Sequence, residues 1–250
     1  LLPLLLQGAG ASSAHPLAAA ALAELRGFDG TMAADRAAPL LWWAWSRRFA
    51  EAVYADDFGA ELWDRSGRAR SFRDAFDGLL AGGAASAWCD DRRTPAVETC
   101  AEMSALAFGR ALDELRARFG DDVAAWRWGH AHEMRGEHRP FSRVPLLARW
   151  FEQRAATAGD TFTVNASRVV LREAAAGGDL YWTDHGPSLR AIYDLADAAR
   201  SRVMHSTGQS GIVFSPWYGD FAAPWAQVRY VPLWSAEPPA HTLVLQPGGN

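Results

Sequence analysis

Thr94-Pro95-Ala96-Val97-Glu98-Thr99-Cys100 opens the stretch whose pattern decides the fold class. Thr94 is a good helix N-cap, Pro95 suits the first helical position, and Glu98 lies near the positive end of the helix dipole. Val97, Ala101, Ala105, Phe108, Leu112, Leu115 and Phe119 follow at spacings of 4, 4, 3, 4, 3 and 4. That rhythm puts one apolar stripe along a helix of 3.6 residues per turn. Gly120 supplies a left-handed stop. The spacing predicts one long amphipathic helix.

Working outward, residues 16–59 also read as helical. Leu17, Ala20, Ala21 and Leu25 share a face that Gly27 can end, and a second helix from near Met32 carries Leu40, Leu41, Trp42 and Trp45 into a core. Residues 59–93 hold shorter pieces, broken at Gly82-Gly83 and Asp90-Asp91. After Gly159 the grammar changes. Segments 161–164, 168–171, 189–193, 228–232 and 242–245 read as strands. Helices first and strands later is α+β order rather than an alternating βαβ pattern. Residues 1–158 are expected as a mainly helical segment and 159–250 as a strand-rich one, within one continuous domain fragment.

The 250 residues are enough for a real hydrophobic core, and 49% hydrophobic with 22% charged residues is ordinary globular composition. A formal charge of -4 gives no electrostatic reason to expect nucleic acid or an anionic membrane as partner. All 25 basic residues are Arg, which fits a GC-rich bacterial genome and excludes Lys chemistry, Schiff base or general base, within this chain. The 12 Trp, 12 Phe and 5 Tyr are read first as core filling, with lining of an apolar pocket as the alternative. Leu1 to Leu6 followed by Ala11-Ser12-Ser13-Ala14 mimics the end of a signal peptide, but Pro3 interrupts it and no basic residues precede it. It is read as an internal helix at which a longer chain is cut. No run approaches the roughly 20 apolar residues of a bilayer span.

Candidate chemistry is thin. His130-Ala131-His132-Glu133 with His138 is the one metal-like cluster, and the competing functional readings are a metal-dependent hydrolase using His130, His132 and His138 and a non-catalytic structural or binding module. Its spacing matches no HExxH or other zinc signature, so hydrogen-bonded core histidines are preferred. Gly208-Gln209-Ser210-Gly211 lacks the last glycine of a nucleophile elbow and reads as a tight turn where backbone approaches something closely. Asp184 and His185 are neighbours and would point to opposite faces of a strand. Cys89 and Cys100 are either a bridge or two buried thiols; the even count does not decide.

Taken in order, the segments say more. Trp88-Cys89-Asp90-Asp91 and Glu98-Thr99-Cys100 precede Ala124-Ala125-Trp126-Arg127-Trp128-Gly129-His130-Ala131-His132. His138 follows, then Gly159-Asp160-Thr161-Phe162-Thr163-Val164-Asn165, Gly186-Pro187-Ser188-Leu189-Arg190, Ser206-Thr207-Gly208-Gln209-Ser210-Gly211 and Ser215-Pro216-Trp217-Tyr218-Gly219-Asp220. This series resembles the C-terminal region of the penicillin amidase (acylase) family of N-terminal nucleophile hydrolases, most sharply over residues 88–233. Trp217 departs from a common family His, and Ala158 from a common Gly pair.

The resemblance implies a bacterial precursor, exported to the periplasm, that cleaves itself to free a nucleophilic Ser at the start of the β chain. Substrates would be linear N-acyl amides, such as β-lactam side chains or acyl-homoserine lactones. It implies no catalytic residue, cofactor site or metal ligand here: Ser, oxyanion Asn, active-site Arg and a calcium site lie upstream, so calcium is expected only in the full enzyme. The chain would complete the αββα sandwich, with the α chain and the rest of the β chain as partners. Trp128, Gly129, His132, His138, Asn165, Arg190, Gly208, Gln209, Ser210, Gly211 and Asp220 become structural landmarks, and the secreted setting turns Cys89 and Cys100 toward a disulfide.

Overall fold

A computed structural model describes residues 2–11, 14–66, 72–80, 82–171, 180–234 and 243–246. Contacts gather the chain into two units, Leu1–Arg135 with Ala156–Gly186, and Gly136–Ala155 with Pro187–Asn250.

The first unit is helical: α1 (Leu2–Ala11), α2 (Ala18–Arg26), α3 (Ala38–Ser66), α4 (Phe72–Leu80), α5 (Cys100–Phe119) and the short α6 (Trp128–Ala131). α1 takes Pro3 in its first turn, where a missing N–H costs nothing. Ser12 and Ser13 lie outside the described residues. α2 buries Ala18, Ala21, Leu22 and Leu25, while Ala20, expected on that face, is exposed. α3 starts at Ala38 rather than near Met32, and its helical dihedrals break at Gly59. Its buried face carries Leu40, Leu41, Trp42 and Trp45, and Trp45 stacks on Phe49 at 5.1 Å.

The long helix is present, with its start moved from Thr94 to Thr99. Thr99 and Glu102 form a reciprocal capping box that satisfies two free amides of the first turn. Glu98 is then spared for the preceding loop, where its carboxylate accepts the Asp91 amide at 3.0 Å and the Thr94 hydroxyl at 2.6 Å. Val97, placed in the apolar stripe by sequence, is 83% exposed as a result. The stripe that packs is Met103, Ala107, Phe108, Ala111, Leu112 and Leu115, and Gly120 ends the helix at φ 81°. A disulfide joins Cys100, at the first position of α5, to Cys89, at the end of a 3-10 turn over Gly83–Cys89.

Strands are fewer and shorter than the sequence suggests. β1 (Glu133–Gly136) and β2 (Gln153–Ala156) form a two-stranded sheet, and neither was legible in the sequence. In the second unit, β3 (Leu189–Ile192), β4 (Arg202–His205) and β5 (Val231–Pro232) form an antiparallel sheet in that order, with Leu189 opposite His205 and Val203 opposite Val231. Among its described residues that unit also holds the helices α7 (Pro145–Phe151) and α8 (Ala222–Ala226).

The expected strands at 189–193 and 228–232 thus survive in shortened form. Segment 161–164 is instead a turn, because Asp160 pulls the Phe162 and Thr163 amides onto its own carboxylate. Segment 168–171 makes one bridge, Val169 to Thr183. In segment 242–245, Thr242 lies outside the described residues and Leu243 to Leu245 have no regular structure. The described chain is α+β, helices with small sheets. Among the described residues no helix is long and apolar enough to cross a membrane.

The disulfide closes an 11-residue separation at the N-terminus of α5. Replacing both cysteines by Ser is expected to lower stability by about 2–3 kcal/mol, read as a drop in urea midpoint. An unchanged midpoint would show that the bridge constrains nothing.

Candidate functional site

The first unit is organised around a carboxylate. Glu114 lies on the buried face of α5 between Leu112 and Leu115, and a buried charge is tolerated only when paired and hydrogen-bonded. Its Oε2 accepts Arg48 Nε at 2.8 Å and pairs with Arg47 Nη2, both guanidinium groups coming from α3. Its Oε1 accepts the Tyr181 hydroxyl at 2.6 Å, and Arg47 Nε donates to that same hydroxyl at 3.3 Å. Burial pushes the Tyr181 hydroxyl well above its ordinary range, so it stays a neutral donor. Tyr181 also holds φ at 74°, a region that costs an aromatic residue on the order of 1–3 kcal/mol.

The carbonyl of Tyr181 meets His132 Nδ1 at 2.7 Å. A carbonyl only accepts, so the imidazole proton sits on Nδ1. The His132 ring has no solvent exposure and stacks on Trp128 at 4.4 Å and 13°. Burial holds its pKa down to about 4, so it is neutral at pH 7. His130 is exposed, and His138 belongs to the second unit, its ring stacked on Phe141 at 5.0 Å. His130 and His132 thus belong to the first unit and His138 to the second. Among the described residues no group of three His, Cys, Asp or Glu side chains could hold a metal ion.

The other landmarks of this unit are clamps on backbone. Trp128 Nε1 donates to the Gly159 carbonyl at 2.9 Å, and the Gly129 amide to Ala34 O at 2.7 Å. Gly159 sits at φ 88°, and a Cβ there would fall 2.2 Å from Asn165 O, so only glycine fits. Asn165 Nδ2 donates to Ala158 O at 3.1 Å, closing the loop on itself. Asp160 accepts Trp43 Nε1 at 3.1 Å besides its two loop amides, which makes it an acceptor already in use rather than a base. This loop borders an open cleft of about 580 Å³ lined by Phe28, Met32, Trp42 and Phe162 together with Asp29 and Asp77.

In the second unit, Arg190 lies over the Trp225 ring at 4.8 Å and donates to Trp225 O at 2.8 Å, while Trp225 Nε1 donates to Pro187 O. Burial lowers the Arg190 pKa from its ordinary value. At Gly208 an added Cβ would meet Trp217 O at 1.9 Å, and the Gly208 and Ser210 amides donate to Tyr218 O and Trp217 O, each at 3.0 Å. Ser210 Oγ accepts the Ile212 amide at 3.1 Å, Gln209 and Gly211 are exposed, and Asp220 is half-buried.

The described chain is thus an α+β assembly in which the side chains of Trp128, His132, Asn165 and Arg190 are each bonded to a backbone carbonyl. The chain belongs to the penicillin amidase family, whose profile matches residues 1–241. It is 32% identical over 225 residues to the acyl-homoserine lactone acylase QuiP of Pseudomonas putida, covering 85% of this chain and 26% of the relative. QuiP of Pseudomonas syringae pathovar tomato is 28% identical over 219 residues (85% and 26%), and that of Pseudomonas aeruginosa 27% over 227 residues (83% and 26%). The chain spans about a quarter of the length of these relatives.

Sequence reasoning missed the cluster of Arg47, Arg48, Glu114 and Tyr181. Its one legible signal was an acidic residue inside the apolar stripe of α5. Glu114→Ala would remove the shared carboxylate of two partly buried guanidinium groups and is expected to cost about 3 kcal/mol in urea unfolding, the lower end for breaking a buried pair; a loss under 1 kcal/mol would mean the cluster is solvated. For His132 the folded pKa lies below the unfolded one, so the unfolded chain binds more protons between pH 6.5 and about 4. Its contribution is present above pH 6.5 and falls as pH drops through that window, by at most about 1.4 kcal/mol per unit. His132→Asn is expected to flatten that part of the stability profile relative to wild type.

Proposed function

We propose that this chain is the C-terminal part of the β chain of a bacterial hydrolase that cleaves linear N-acyl amides, with acyl-homoserine lactones as the first substrate class and β-lactam side chains as the second. The observation that carries this reading is the family match along residues 1–241, supported by relatives named as acyl-homoserine lactone acylases. In this reading the helical 1–158 and strand-rich 159–250 segments complete an αββα sandwich. The precursor is exported to the periplasm and matures by cutting itself, and its α chain and the preceding part of the β chain are the partners. Calcium, if bound, sits among residues outside this chain.

The chemistry is acyl transfer. A Ser at the start of the β chain attacks the amide carbonyl while its α-amine, acting through a water, takes the hydroxyl proton; the amine departs with a proton and water then releases the acid. The part assigned to residues 1–250 is to hold that site's frame rigid, as the saturated hydrogen bonding around Glu114 and Asp160 favours.

The test is release of primary amine from an N-acyl-homoserine lactone by the full-length protein. Changing the Ser at the maturation site to Ala is expected to abolish it by at least about a thousandfold, while the 250-residue chain alone is expected to be poorly soluble or inactive. Full activity without that Ser would overturn the reading; an upstream sequence with no such Ser would favour a non-catalytic relative.

A further inference from the structure

His132 is satisfied on one nitrogen only. Its Nδ1 carries the proton and donates to Tyr181 O at 2.7 Å, so Nε2 keeps a lone pair and can only accept. The residue has no solvent exposure, and Nε2 has no hydrogen-bond partner among the described residues. A flipped ring is no remedy, because it would set a C–H against the Tyr181 carbonyl. Buried acceptors in native proteins are nearly always matched by a donor, from the protein or from ordered water.

The donor has to lie inside the first unit. Nε2 is already closed off within this chain, so no further polypeptide laid over the surface can reach it. The groups beside the ring narrow the choice. Trp128 stacks on one face at 4.4 Å and donates its Nε1 to Gly159 O, which brings the 159–167 loop alongside. From that loop Asp160 acts on His132 as a negative charge, and a carboxylate, like Nε2, accepts. Ser167 donates its amide to Asp160 O at 2.8 Å, is 2% exposed, and its hydroxyl has no partner among the described residues. Two acceptors and a hydroxyl call for a small group that offers two hydrogens and a lone pair from a single atom. Water is that group.

We propose that His132 Nε2, Asp160 and Ser167 enclose a binding site for one water molecule. The water donates one hydrogen to Nε2, turns the other toward the Asp160 carboxylate and accepts the Ser167 hydroxyl. A buried water ordinarily makes about three such bonds. Through it the imidazole, tied to Tyr181 by one nitrogen, is tied by the other to the loop that carries Gly159 and Asn165. The inference uses neither nucleophile nor substrate and stands independently of the hydrolase reading.

The experiment is a crystal structure of the full-length protein at a resolution that shows ordered water. Density for one oxygen is expected about 2.7–3.2 Å from His132 Nε2, with the Ser167 hydroxyl in the same range of it. His132→Phe keeps an aromatic ring against Trp128 but removes the acceptor, and is expected to lose that density. No density beside Nε2 in wild type, or a protein donor such as the Ser167 hydroxyl bonded to it directly, would overturn the proposal. So would density that persists unchanged in His132→Phe, since other groups would then hold the water. Should that variant fail to fold, the wild-type density decides alone.

Discussion

One buried carboxylate sets the terms for the helical unit. Glu114 brings a negative charge onto the packed face of α5, and water cannot reach it there to repay the lost hydration. Two arginines from α3 and a tyrosine hydroxyl take its place. The register of α3 against α5 is thereby tied to ionic geometry as well as to apolar contact, and Tyr181 is held in a backbone region it would otherwise leave. The same residue, through its carbonyl, chooses the tautomer of His132. Helix packing, loop conformation and imidazole state thus hang on one ion cluster.

The two units differ in how many large aromatic side chains they leave in solvent. In the first, indole N–H groups are turned inward to definite acceptors: Trp43 to Asp160, Trp45 to Ser104, Trp128 to Gly159. In the second, Trp225 is bonded in the same way to Pro187 O, but Trp150, Trp217 and Phe214 stand largely in solvent. Whole-chain composition averages these two regimes into an ordinary globular profile.

The helices were legible because apolar spacing is a strong local signal, and α5 and the buried face of α3 follow from Phe108, Leu112, Leu115, Leu40, Leu41 and Trp45 alone. The start of α5 was misplaced because two rival caps lie five residues apart. Thr94-Pro95 looks better by residue type, but Thr99 with Glu102 makes two reciprocal bonds where Thr94 makes none with the helix. Segment 161–164 has the β-branched and aromatic residues of a strand, and the Asp160 side chain overrides that propensity by capturing its amides. The Glu114 cluster joins residues 67 positions apart, and a distance of that kind leaves no periodic trace in sequence. The landmark residues were legible as a series, and their individual tasks were not: nothing in Asn165 or Arg190 as letters says that each is spent on a nearby carbonyl.

The turn at Gly208 shows what such landmarks record. A methyl group there would land 1.9 Å from Trp217 O, inside the atom itself, so every substitution is refused whatever its chemistry. Reactive residues can be exchanged when a substrate changes, but a contact with no spare volume has no neighbouring sequence to drift toward. Kinship among proteins with diverged activities would then be written most durably in their places of zero clearance, and a turn such as this one can carry the lineage as legibly as an active site does.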